Sequence, residues 1–120
     1  MRILVVEDDA SIRETLGMVL ESNGHHALLV ENGEQALLKL SSEWPDAMLL
    51  DLTLPGMAGE EVYQAVRDQF GRVPPTVVLS ASQGGAKRAH FMEGTMYLAK
   101  PYTIDALEQM IQEITCNTAA

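Results

Sequence analysis

Short apolar runs alternate with amphipathic segments from one end of this chain to the other. That alternation leaves few folds open, since it is the pattern of β-α units wound into a parallel sheet with helices on both faces. The runs read as strands are Ile3 to Val6, Ala27 to Val30, Ala47 to Leu50, Thr76 to Leu79 and a short one at Tyr97 to Ala99. Between the first two, Ile12, Leu16, Val19 and Leu20 recur at helical spacing until Asn23 and Gly24, a helix-stop pair. Asn32 followed by Gln35 makes a cap for a second helix bearing Ala36, Leu37 and Leu40. Val62, Val66 and Phe70 mark a third, and Ile104, Leu107, Ile111 and Ile114 mark the last, behind Thr103 as its cap. From Ser82 to Met96 the glycines at 84 and 85 oppose helix and little more than two turns remain before Gly94, so a short or irregular fourth helix is expected there. Right-handed crossovers on five strands then favour the doubly wound order 2-1-3-4-5.

The 120 residues suit one domain spanning 1–120, with no internal repeat, linker or low-complexity tract. The single cysteine, Cys116, cannot form an internal disulfide and reads as a bystander thiol in a reducing compartment. No run approaches the roughly 18 apolar residues that cross a bilayer. MRILVV reads as a strand without the cleavage site of a signal peptide, so a soluble cytoplasmic protein is expected, and the start at Met1 just before that strand fits a natural N-terminus. The formal net charge of −9 argues against nucleic-acid binding by this chain, because affinity for phosphate backbones comes from clustered Lys and Arg.

In open α/β sheets ligands bind beyond the carboxyl ends of the strands, where the strand order reverses. The first strand ends in Glu7 and Asp8, the third in Asp51, the fourth in Ser80 and the fifth in Lys100 followed by Pro101. Taken singly, each has a plain structural reading: cap, turn former, strand terminator or solvated charge. Together they gather three carboxylates, a hydroxyl and an amine at one edge. Two carboxylates about 5 Å apart at an effective dielectric of about 20 repel by roughly 3 kcal/mol, so such a trio takes up protons or a cation. Hard oxygen ligands suit Mg²⁺, whereas Zn²⁺ would want a His or Cys cluster, and His25, His26 and His90 are scattered and read as surface residues. The cation would bridge Asp51 to an incoming phosphoryl oxygen, with Lys100 neutralising a second oxygen and Ser80 hydrogen-bonding a third.

The segments ILVVEDD, MLLDLTLPGMAG, VVLSAS and YLAKPY resemble the landmark segments of response-regulator receiver domains, in family order and near family spacing across nearly the whole chain. The resemblance implies the CheY-like, flavodoxin-like fold and a two-component phosphorelay role, not that of an enzyme acting on a separate substrate. By it, Glu7 and Asp8 correspond to the family's acidic pair, with Asp8 a direct metal ligand, Asp51 to the phosphoacceptor, and the backbone carbonyl of Thr53 completes the Mg²⁺ site. Ser80 corresponds to the switch hydroxyl, Tyr97 to the switch aromatic, and Lys100 to the lysine joined to proline by a cis bond. Asp9 is left as a helix cap. This chain has Glu7 where Asp is commoner, Ser80 for Thr, Tyr102 for Phe, and GTMY at Gly94 to Tyr97 is one residue shorter than usual, which touches the output face and not the acidic edge.

The partners so implied are a histidine kinase or histidine phosphotransfer protein, docking on Ser11, Ile12 and Thr15 of the first helix and on the loop after the fifth strand, and a downstream effector protein. The segment 82–96 is expected to change order on phosphorylation, with the chain remaining mostly monomeric. Three rivals are weighed. A haloacid-dehalogenase-type hydrolase would carry its nucleophile on the first strand, ahead of its other acids. A flavodoxin-like cofactor binder needs a phosphate-cradling loop where EDD repels anions. A receiver that has lost phosphorylation and works only as a docking module is the serious non-catalytic rival, against which stands the presence of every required group.

Overall fold

The computed structural model describes residues 1–54, 56–81 and 92–119. The elements run β1 (Arg2–Val6), α1 (Ala10–Ser22), β2 (His26–Val30), α2 (Gly33–Ser42), β3 (Ala47–Asp51), α3 (Gly59–Phe70), β4 (Thr76–Ser80), β5 (Thr95–Ala99) and α4 (Ile104–Ala119). All strand pairs are parallel, in the order β2-β1-β3-β4-β5 anticipated from the alternation. The order reverses between β1 and β3, so the carboxyl ends of these two strands flank the crevice where such sheets bind ligands.

The period of two sorts the apolar residues into two cores. Leu4, Val6, Leu28, Val30, Met48, Leu50 and Val78 face α2 and α3, while Ile3, Val5, Ala47, Leu49, Val77 and Leu79 face α1 and α4. β3 is buried along its whole length, which is why its sequence AMLL shows no polar alternation before Asp51. Each fully buried Leu or Ile of these strands contributes about 1.5–3 kcal/mol, and the strands are thereby rigid rods that end at fixed points.

The helix entries are set by caps. The Asp9 side chain accepts the Ile12 N–H at 3.0 Å, Asn32 Oδ1 accepts the Gln35 N–H at 2.9 Å, and Thr103 Oγ1 accepts the Ala106 N–H at 3.1 Å. Gly24 follows α1 with a φ of +86° that the Asn23-Gly24 stop required. Gly59 opens α3 because a Cβ there would lie 2.8 Å from Leu52 Cα and 3.0 Å from the Asp51 carbonyl oxygen. The helix can therefore close against the end of β3 and hold the loop beyond Asp51.

Several sequence expectations change. β5 begins two residues earlier than Tyr97, because Thr95 and Met96 pair with Thr76 and Val77 although neither is a strong strand signal. Ile104 stands 51% exposed at the first turn of α4, on the open side facing α1; Leu107, Ile111 and Ile114 carry the buried face. His25 is no surface residue: its side chain is 9% exposed and Nε2 lies 2.7 Å from a Glu108 carboxylate oxygen on α4. His26 is exposed as expected, and Cys116 is exposed and free. His90 and most of the expected short fourth helix lie outside the described residues. The described end of that segment turns through Gly94 and buries Met92 in the α2-α3 core. No helix among the described residues is long and apolar enough to cross a membrane.

Candidate functional site

β1 runs straight from Val6 into Glu7, which is 2% exposed and whose N–H donates to the Val30 carbonyl at 3.2 Å. A carboxylate so placed cannot reach bulk water. Its Oε1 accepts the Asp9 N–H at 3.2 Å and its Oε2 lies 3.4 Å from Lys100 Nζ. Asp51 terminates β3, 4% exposed, with Oδ1 accepting the Thr53 N–H at 2.8 Å and Oδ2 accepting Lys100 Nζ at 2.8 Å. Asp8, one residue beyond Glu7, is exposed, and carboxylate oxygens of Glu7, Asp8 and Asp51 all lie within 4.8 Å of one another. The cluster anticipated from strand ends is thus assembled by the ends of β1 and β3, with the amine arriving from the turn after β5.

One ammonium faces two buried carboxyls, and the acidity of the groups reflects that deficit. Burial pushes the Glu7 carboxyl up to about 7, helped by its hydrogen bond and charge interaction with Asp51 and opposed by the Asp9 N–H and Lys100. Burial by itself would lower Lys100, but its hydrogen bond to Asp51 and the charges of Asp51 and Glu7 outweigh that, leaving the ammonium held more firmly than usual. Burial also raises the Tyr102 phenol, beside Lys100. A site of three carboxylate oxygen donors, short of positive charge, matches the donor set of a hard divalent cation with room for water, and Mg²⁺ fits it.

The other anticipated residues fall around this cluster. Ser80 closes β4 at 1% exposure, one position past the Asp51 to Leu79 pairing, and its carbonyl accepts the Lys100 N–H at 2.9 Å. Half-buried Tyr97 points its phenol at the same carbonyl, donating at 3.4 Å, while its ring packs on the α2-α3 core. The Lys100-Pro101 bond is cis. Thr53 is exposed on the loop after Asp51. Ser11, Ile12 and Thr15 line a groove of about 290 Å³ between α1 and α4, walled on the far side by Tyr102, Ile104 and Leu107. One residue escaped the sequence reading. Arg13 reaches back from α1 to the carbonyls of Glu7 and Asp8, and its only sequence signal is a cation one helical turn past the Asp9 cap.

The model of the response regulator receiver domain matches residues 3–112. Response regulator MprA of Mycobacterium avium is 37% identical over 109 residues, covering 89% of this chain and 47% of that protein. The phosphate regulon transcriptional regulatory protein PhoB of Escherichia coli is 36% identical over 116 residues, covering 94% and 51%. Among solved structures, the receiver domain of a sensor histidine kinase from Pseudomonas aeruginosa, with magnesium ion coordinated in its active site cleft, superposes with a TM-score of 0.85 at 31% identity over 96% of this chain and 97% of that one. The chain belongs to the response regulator receiver domain family and is a signalling domain of two-component systems. It spans about half the length of the curated relatives it matches.

Proposed function

We propose that Asp51 accepts a phosphoryl group from a histidine kinase or histidine phosphotransfer protein, with Mg²⁺ as the cofactor. The observation that carries this reading is the 2.8 Å contact between Asp51 Oδ2 and Lys100 Nζ, made by a carboxylate that has an oxygen within 4.8 Å of those of Glu7 and Asp8. In the transfer a carboxylate oxygen of Asp51 bonds to phosphorus while the bond from phosphorus to the donor's imidazole nitrogen breaks, and the imidazole leaves with the electron pair. Asp8, Asp51, Glu7 and the Thr53 carbonyl would hold the cation. Bound there, it neutralises phosphoryl oxygens that would otherwise repel the acids.

The chain's own groups do the rest. The Thr53 N–H orients Asp51, and Lys100 offers its ammonium to a phosphoryl oxygen. Ser80, on the neighbouring strand end, donates its hydroxyl to another, and Tyr97 behind it transmits the change to the surface used by a downstream effector protein. Each charge-assisted hydrogen bond of this kind contributes about 1.5–3 kcal/mol, so Ser80 and Lys100 together approach the roughly 5.5 kcal/mol that inverts a 1:99 equilibrium. The groove at Ser11, Ile12 and Thr15 receives the phosphodonor protein. Residues 1–120 act as one cytoplasmic, mostly monomeric domain that does not itself bind nucleic acid. Intact-mass spectrometry with acetyl phosphate tests the reading. Wild type should gain one phosphoryl mass, Asp51→Asn none, and excess EDTA should abolish the gain. Labelling of Asp51→Asn at the wild-type rate overturns it.

A further inference from the structure

Of the three carboxylates at the crevice, two are held from outside themselves. Glu7 is fixed by the Asp9 N–H and Lys100, and Asp51 by the Thr53 N–H and Lys100. Asp8 is different: it is exposed, and among the described residues nothing hydrogen-bonds its carboxylate. Its place at the cluster is set by its main chain alone. The guanidinium of Arg13 holds that main chain. Nη1 donates to the Glu7 carbonyl at 2.9 Å and the Asp8 carbonyl at 3.3 Å, and Nη2 lies 3.9 Å from Glu31 Oε2 beyond β2. The Arg13 side chain is 17% exposed, and no other side chain among the described residues bonds the Asp8 main chain.

We infer that Arg13 is a positioning residue for the cation site, fixing the turn after β1 so that Asp8 presents its carboxylate to Mg²⁺; the inference rests on the proposed Mg²⁺-assisted phosphoacceptor. Nη1 serves both carbonyls while Nη2 is turned to Glu31, so the two-headed guanidinium ties the turn to the end of β2, a link that the single ammonium of a shorter lysine cannot make. The residue touches neither the cation nor the phosphoryl group. It acts through the backbone of Asp8, as partners behind metal ligands generally do.

The sign of the effect separates this role from a merely electrostatic one. A cation beside an acidic site repels Mg²⁺, so if charge were all that Arg13 brought, its removal would tighten Mg²⁺ binding. Positioning predicts the opposite. Mg²⁺ affinity is measured by isothermal titration calorimetry on wild type, Arg13→Met, Arg13→Lys and Asp8→Asn, with thermal unfolding of each metal-free protein. Both Arg13 variants should bind about tenfold more weakly than wild type. Arg13→Lys, which keeps the charge and much of the packing, should fail to rescue. Hydrogen exchange of the metal-free proteins should show faster exchange at Asp8 and Asp9 in both. If wild type binds Mg²⁺, Asp8→Asn does not, and the Arg13 variants match or exceed wild type, the positioning role is overturned while the site stands. If wild type itself binds no Mg²⁺, both fall.

Discussion

At the carboxyl ends of its strands the sheet carries Glu7 and Asp51, with side chains 3% and 5% exposed, sharing one lysine. At the amino ends, just ahead of β3, Trp44 meets the edge of Phe70 at 5.5 Å between ring centroids and is covered by Arg72 at 4.3 Å. Both ends combine charge with burial, but to opposite effect. The amino end pairs a cation with an aromatic face. The carboxyl end buries two carboxyls whose desolvation and mutual repulsion its one ammonium offsets only in part. Such an asymmetry is what a reactive site costs a domain, with stability supplied by packing elsewhere.

Removing Lys100 should break this contrast most sharply. Lys100→Met leaves two buried carboxyls facing each other, and loss of one member of a buried ion pair costs about 3–5 kcal/mol; partial exposure of the lysine places the expected loss near the lower end. Urea unfolding of the metal-free variant at pH 8 should show it, with a smaller loss at pH 6, where Glu7 can hold a proton. At the amino end, Trp44→Ala should cost about 2–3 kcal/mol, less than for a fully buried aromatic because the ring is half-buried. The same variant should take up phosphate from acetyl phosphate at the wild-type rate, and a slowed rate would show that the two ends are coupled.

The pH profile sharpens the comparison. In the folded, metal-free protein Glu7 titrates near 7, above the ordinary carboxyl value of 4.5, so between those values the folded state binds the extra proton. Stability from this group is present at and below pH 4.5 and is lost as pH rises through about 7. The slope approaches about 1.4 kcal/mol per pH unit inside that window. Glu7→Gln should flatten it, as chemical unfolding between pH 5 and 8 can read. A wild-type stability that rises across the window would contradict the assigned burial of Glu7. The smallest effect belongs to Arg72→Ala, a loss of about 0.5–1 kcal/mol from the cation over Trp44, with no change in the pH profile.

Much of this molecule was legible before its coordinates. Short apolar runs marked every described strand and 3.6-residue spacing every described helix, and the caps at Asp9, Asn32 and Thr103 bond as their spacing implied. Strand-end reasoning brought Glu7, Asp8, Asp51 and Lys100 together because the ends of rigid strands leave little freedom. Harder to see were features that depend on contacts across the chain. His25 looks like a polar loop residue until α4 brings Glu108 against it, and Ile104 looks like core until the first turn of α4 proves uncovered. Arg13 carries no motif at all. Its role depends on a long side chain folding back along its own helix, a direction that residue spacing does not encode.

Asp51, and not its acidic neighbours, is the residue proposed to carry the phosphoryl group. Asp8 lies close enough to be a rival acceptor, so the acceptor should be mapped chemically. The protein is treated with acetyl phosphate and Mg²⁺, the acyl phosphate is reduced with borohydride to homoserine, and the position is read by tandem mass spectrometry. Homoserine is expected at position 51 alone. Homoserine at position 8, or 5-hydroxynorvaline (the reduced form of a glutamyl phosphate) at position 7, with residue 51 unmodified, would contradict the assignment.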